Sequence, residues 1–333
     1  MALTGHNHAP PAHPHDHSHG ALDPALFTTA QGIRAAKVSF LGLMVTALLQ
    51  LGIVLVTGSV ALLADTIHNI GDATTAIPLW IAFTLARRPP TPRFSYGYGR
   101  VEDFAGLIIV LMILGSGLVA GYEGISRLLH PQTIDYLWAV GAASFVGFLG
   151  NEAVARLRLK VGKDIGSAAL VADGYHARID GLTSLTVLLG AGGVGLGYPR
   201  ADALVGLLIT VVIFKIAWDS GKSVFARLLD GVDPQVREEV RHAAQHLPEV
   251  RDVTEVRVRW VGHRLWAEVN IAVESHLSVE QAHKIATEVR HQILHHLRYL
   301  SNATIHIDPI SASGEAHHRI AKHAHDEFAD HSH

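Results

Sequence analysis

Two stretches of the chain carry the same polar residues at the same spacing. Gly58-Ser-Val-Ala-Leu-Leu-Ala-Asp65-x-x-His68-x-x-x-Asp72 and Gly166-Ser-Ala-Ala-Leu-Val-Ala-Asp173-x-x-His176-x-x-x-Asp180 are offset by 108 residues throughout, and eight of the fifteen residues are identical. His68 with Asp72, and His176 with Asp180, are i, i+4 pairs, so on a helix each pair shares one face. Two such faces brought together offer two imidazole nitrogens and two carboxylates. That is a tetrahedral N2O2 set, which suits Zn²⁺ better than the octahedral oxygen shells preferred by Mg²⁺ or Mn²⁺. Asp65 and Asp173 precede each histidine by three residues, on nearly the same face. There they can hold the imidazole tautomer from behind or carry protons.

The elements that must position these residues are apolar. Of 333 residues, 49% are hydrophobic and only 17% charged, against about 25% charged in an ordinary soluble protein. Val38 to Ala64 is a charge-free run of 27 residues, long enough to cross a hydrocarbon core of about 30 Å. Further apolar segments follow at Val60–Ala86, Phe104–Tyr122, Tyr136–Asn151 and Gly166–Val194, with a weaker sixth at Ala203–Phe214. Asp65, His68, Asp72, Asp173, His176 and Asp180 then lie inside the second and fifth segments. An ionisable residue at that depth costs about 2.5–3.5 kcal/mol on insertion scales unless it is paired or hydrated. The plainer alternative, hydrogen bonds that merely tie helices together, does not account for six such residues repeated at fixed spacing.

Charge in the connections sets an orientation. Arg87, Arg88, Arg93 and Arg100 lie between segments two and three, and Arg156, Arg158, Lys160 and Lys163 between four and five. The opposite side offers Arg127 and Arg200 alone. The basic-rich side is expected to be cytoplasmic, and with it both termini. Segments two and five then run in opposite directions, so the duplicated motif is an inverted repeat of the kind found in transporters. No signal-peptide pattern precedes the first segment, which fits direct insertion into a bacterial inner membrane.

The remaining composition narrows the chemistry. Cysteine is absent, so metal sites must use imidazole and carboxylate. The net charge of −3 gives no basic field for nucleic acid. Nothing resembles a nucleotide-binding loop, because Gly221-Lys222-Ser223 lacks the first glycine that a P-loop needs. Of the 24 histidines, six lie in the first 20 residues and six in the last 17. These tracts have no apolar periodicity and read as disordered, metal-capturing tails over 1–32 and 311–333. Between them, 33–228 is expected to be a six-helix transmembrane domain.

From about Leu229 the pattern changes to that of a small soluble α+β domain, expected over 229–310. Pro234–Leu247 has helical spacing, Val253–Val261 and Leu265–Val273 alternate as half-buried strands, a helix opens at Ser278, and Ala303–Ile307 is a third strand. The αββαβ order predicts an antiparallel sheet with helices against it.

At these residues the chain resembles the cation diffusion facilitator family, in its zinc-transporting branch. The resemblance covers about residues 33–310. It rests on Ser59-Val-Ala-Leu-Leu-Ala-Asp-Thr-Ile-His68-Asn-Ile-Gly-Asp72, on Ala172-Asp-Gly-Tyr-His176-Ala-Arg-Ile-Asp180-Gly-Leu-Thr-Ser, on Tyr96-Gly-Tyr-Gly-Arg-Val-Glu102, and on Ala282-His283 and Ile305-His306-Ile-Asp308-Pro309. It implies six membrane helices with a cytoplasmic ferredoxin-like domain, a homodimer, and exchange of divalent metal for protons through His68, Asp72, His176 and Asp180. It further implies a cytoplasmic metal site drawing on His283, His306 and Asp308. Two usual histidine positions fall instead at Thr254 and Asn270, so that site is incomplete unless the partner subunit or His263 contributes. The metal site found in some members after the second segment is expected to be missing, because Phe94 and Tyr98 stand there. Arg100 and Asp230 match an ion pair that the family uses at the dimer interface to couple its membrane and soluble parts.

The expected activity is efflux of divalent cations, Zn²⁺ first, with no resident cofactor and with metal ions, protons and membrane lipid as partners. Zinc needs neutral imidazoles and ionised carboxylates, so protons and metal compete for the same groups. Export mainly of Co²⁺, Cd²⁺ or Ni²⁺ is the nearest alternative. A membrane-anchored zinc sensor or storage protein is the alternative from a different class, and it leaves the duplicated intramembrane motif without a purpose.

Overall fold

The long apolar segments fold as helices in a computed structural model that describes residues 24–57, 66, 70, 71, 73–129, 137–196, 198, 201–297 and 299–314. Helices α1 (Pro24–Thr57), α2 (Ala76–Ala86), α3 (Arg100–Leu129), α4 (Leu137–Ile165), α5 (Ala168–Gly195) and α6 (Ala201–Leu228) form one bundle. By length and composition, Phe27–Thr57, Arg100–Leu129 and Ala203–Leu228 are long and apolar enough to cross a membrane. Helices α4 and α5 are of similar length, 29 and 28 residues, and hold ionisable side chains in their middle turns. The first part of the second segment, with Asp65, His68 and Asp72, lies outside the described residues, as do both histidine-rich tracts.

Several helices overrun their apolar segments. Helix α1 begins at Pro24, inside the stretch 1–32 expected to be an unstructured tail. Helix α4 continues to Ile165, so Arg156, Arg158, Lys160 and Lys163 are helical residues and not loop residues. Helix α6 runs to Leu228 and not to Phe214. Hydropathy marks the part of a helix that faces hydrocarbon. It does not mark where backbone hydrogen bonding stops, and these helices continue past their apolar segments to meet the soluble domain through Thr29, Lys163 and Arg227.

The bundle buries apolar clusters, of which the largest includes Leu79 and Phe83 of α2, Ile109 and Ile113 of α3, Leu170 and Ile179 of α5, and Ile213 of α6, with smaller ones around Leu43 and Val54. Its outer surface stays apolar, with Leu55, Leu111, Leu118, Leu208 and Trp218 exposed, the reverse of a soluble protein's surface. Helices α4 and α5 join through a two-residue turn at Gly166 and Ser167 and pack at close range. A Cβ on Gly174 would stand 2.9 Å from the backbone nitrogen of Leu159, so that approach requires glycine.

The soluble domain comprises α7 (Pro234–Gln245), β1 (Asp252–Val261), β2 (Arg264–Val273), α8 (Val279–His296) and β3 (Leu300–Pro309), closed by a 3₁₀ turn at Ile310–Ala312. Asp233 caps α7 by accepting from the Gln235 N–H at 2.9 Å, with Pro234 in the first turn. Ser278 and Gln281 form a reciprocal capping box on α8. Both helices cover one face of the sheet, burying Val240, Val269, Ile271, Val289 and Ile293. The strand order is β1-β2-β3, with β1 and β2 antiparallel and β2 and β3 parallel. The sheet is therefore mixed, which corrects the antiparallel expectation. A strand that returns by way of a helix arrives parallel, whereas a tight hairpin such as β1–β2 reverses direction.

Candidate functional site

His176 and Asp180 lie one turn apart on α5, 1% and 8% exposed, with His176 Nδ1 3.9 Å from Asp180 Oδ1. Their neighbours Ala172, Ala177 and Ile179 are buried apolar residues, so an imidazole and a carboxylate are both held inside the bundle. The corresponding His68 and Asp72 lie outside the described residues, as does Asp65.

Asp173, one turn before His176, has a partner that the sequence did not announce. Its Oδ1 lies 3.0 Å from Arg158 Nη1 and accepts from the Thr75 hydroxyl at 3.2 Å. Arg158 also donates to the Asp173 carbonyl at 3.4 Å and is fully buried. In the sequence Arg158 is one of four closely spaced basic residues, Arg156, Arg158, Lys160 and Lys163. No signal in the sequence sets it apart, because Arg156 and Lys160 flank it at the same spacing.

In the soluble domain, His306 Nε2 is 3.1 Å from Asp308 Oδ1 along β3, while His283 occupies the exposed face of α8. Among the described residues, no group of three or more His, Cys, Asp or Glu is arranged to hold a metal ion. His283, His306 and Asp308 are thus not gathered within one chain.

His263 is not available to that site either. It sits at the β1–β2 tip, buried against the membrane bundle, with Nδ1 2.6 Å from Glu102 Oε2 and Nε2 3.0 Å from Thr29 Oγ1. An ionised carboxylate can only accept, so Nδ1–H donates to Glu102, while Nε2 is hydrogen-bonded to the Thr29 hydroxyl. Around this ring, Gly262 N–H donates to Asp103 Oδ2 at 3.2 Å, and Arg227 donates to the carbonyls of Gly166 (2.6 Å) and Gly262 (3.1 Å). Arg227 also stacks 4.1 Å over Trp260. Arg100 pairs with Asp230 and donates to the Arg227 carbonyl at 2.9 Å. Asp230 holds a left-handed backbone conformation (φ 59°) just past α6, a conformation that Asp tolerates better than most residues.

Comparison with known proteins agrees with this division of the chain. Residues 36–229 match the cation efflux transmembrane domain, and residues 232–310 match the cytoplasmic domain of cation efflux proteins. A probable cation efflux system protein of Mycobacterium tuberculosis is 52% identical over 296 residues, covering 88% of this chain and 89% of its own. The manganese efflux system protein MneP of Bacillus subtilis is 26% identical, covering 82% and 95%. The magnetosome protein MamB of Paramagnetospirillum magneticum is 23% identical, covering 78% and 88%. With a matched membrane domain, a matched cytoplasmic domain of ferredoxin-like fold and a relative at this identity, the chain belongs to the cation efflux, or cation diffusion facilitator, family: it is a divalent-metal efflux transporter and not an enzyme.

Proposed function

We propose that the chain exports Zn²⁺ from the cytoplasm in exchange for protons, as a homodimer in a bacterial inner membrane with both termini cytoplasmic. The observation that carries this reading is the buried His176/Asp180 pair on α5, repeated in sequence by His68/Asp72. A carboxylate pair alone would suit Mn²⁺, the metal named for the Bacillus subtilis relative. Two imidazoles in the set favour Zn²⁺ and its neighbours Co²⁺, Cd²⁺ and Ni²⁺. Metal loading requires neutral imidazoles and ionised carboxylates, so an acidic outer medium displaces the ion by protonating its ligands. Histidine, with an unperturbed pKa of about 6.5, responds in that window. Rocking of the second segment and α5 against the other helices would expose the site to each side in turn.

The test is Zn²⁺ flux into proteoliposomes under an imposed pH gradient, for wild type and Asp180→Ala. Flux that follows the gradient and falls at least about a hundredfold in the variant supports the reading. Flux indifferent to the gradient refutes proton exchange. Flux of Mn²⁺ in preference to Zn²⁺ refutes the metal assignment.

A further inference from the structure

The tip of the β1–β2 hairpin touches the ends of helices from every part of the bundle. His263 bridges Glu102 of α3 and Thr29 of α1 through its two ring nitrogens, and its ring lies 5.6 Å from that of Phe83 of α2. Its backbone N–H donates to the same Glu102 oxygen at 3.2 Å. Arg264 donates to Thr29 and to the Ala86 carbonyl at the end of α2. Gly262, with φ +64°, lies so near Gly99 that a Cβ would be 2.7 Å from the Gly99 carbonyl oxygen. Through Gly262, Arg227 of α6 and Gly166 of the α4–α5 turn join the same knot. His263 and Glu102 are each about 1% exposed.

We propose that this tip is a clasp that holds the cytoplasmic ends of the helices together, and that His263 is the positioning residue through which the cytoplasmic domain governs access of metal from that side. The proposal rests on the exporter reading above, because it concerns the rocking which that reading requires. α5 carries one copy of the duplicated motif, and its end cannot part from α6 while Arg227 of α6 is bonded to the carbonyls of Gly166 in the α4–α5 turn and Gly262 in the tip, nor the tip from α1 and α3 while His263 is bonded to both. The seated arrangement buries the Glu102 carboxylate, which among the described residues is hydrogen-bonded by the His263 ring and backbone and by Ser167. Removing the ring leaves that carboxylate under-bonded in the closed arrangement and hydrated in the open one, so the balance moves toward open.

A chain whose binding-competent state is rare shows weakened apparent affinity in proportion. His263→Ala is therefore expected to lower the half-saturating cytoplasmic-side Zn²⁺ concentration about tenfold, the shift that goes with losing one charge-assisted hydrogen bond from one of two states. His263→Gln, with an amide N–H for Glu102 and a carbonyl for Thr29, is expected to restore the wild-type value. A purely structural role would reduce maximal flux and leave half-saturation unchanged. An unchanged half-saturation in folded His263→Ala overturns the clasp.

A second measurement uses the absence of native cysteine. Thr29→Cys with His263→Cys, bridged by a short reducible bis-methanethiosulfonate, is expected to stop Zn²⁺ flux and to regain it on reduction. Undiminished flux in fully bridged protein overturns the proposal. Wild-type flux in the same vesicles tests the exporter reading by itself, so the two failures are distinguishable.

Discussion

Arg158 and Asp173 are the side chains whose burial says most about the membrane domain. A guanidinium and a carboxylate at 1% and 0% exposure are tolerable in an apolar interior only as a pair. Breaking such a pair from one side typically costs about 3–5 kcal/mol, while replacing both members with apolar residues is often neutral. Arg158→Leu is accordingly expected to lower thermal stability in detergent sharply, and Arg158→Leu with Asp173→Leu to recover most of the loss. Equal destabilisation in the single and double variants would show that the two residues are not coupled. The same pair marks the limit of reading this site from sequence. The repeat exposed His176, Asp180 and Asp173 because duplication separates deliberate polar residues from accidental ones. Arg158 is not duplicated, and an arginine near the end of an apolar run looks like a loop residue until the helix is seen to continue past it.

At the scale of elements, α4 and α5 form a hairpin whose close approach depends on glycine. Gly174→Ala places a methyl group 2.8 Å from Leu159 Cγ and 2.9 Å from the Leu159 backbone nitrogen. The backbone atom cannot step aside, so the helices must separate. A destabilisation of about 1–3 kcal/mol is expected, and it would tilt the helix that presents His176 and Asp180. Gly115→Ala on α3 is the control. Nothing stands within 4 Å of that position, so alanine there is expected to be neutral or to stabilise by about 0.5–1 kcal/mol. Thermal unfolding of the two variants side by side checks the contrast, and equal shifts would refute it. The order of helices and strands was legible in apolar runs and alternation, because burial writes its period into the sequence. Strand direction was not, since alternation is identical in parallel and antiparallel neighbours. What decides it is the connection: Ser278 to Leu297 between β2 and β3 is long enough for a crossover, and that signal outweighs alternation.

At the scale of the molecule, two apolar cores that share no residue meet at a junction of polar and charged groups. Two such cores would ordinarily unfold separately, and a single cooperative transition requires their junction to transmit a loss of order in one to the other. The β1–β2 tip has the means, because its unseating strips Glu102, Asp103 and Arg227 of the membrane domain of their partners His263 and Gly262 at the same moment. No sequence pattern foretold this, since Glu102 and His263 are 161 positions apart and each has an ordinary explanation nearby. Calorimetry of the wild type in detergent is therefore expected to give one transition. Gly262→Ala both adds a methyl group against the Gly99 carbonyl and penalises a left-handed backbone, without touching either core. It is expected to split the transition in two, the cytoplasmic domain melting first. A single unshifted transition in both proteins would mean that the junction carries no cooperativity. Two transitions already present in the wild type would mean that the domains are mechanically independent despite their contacts.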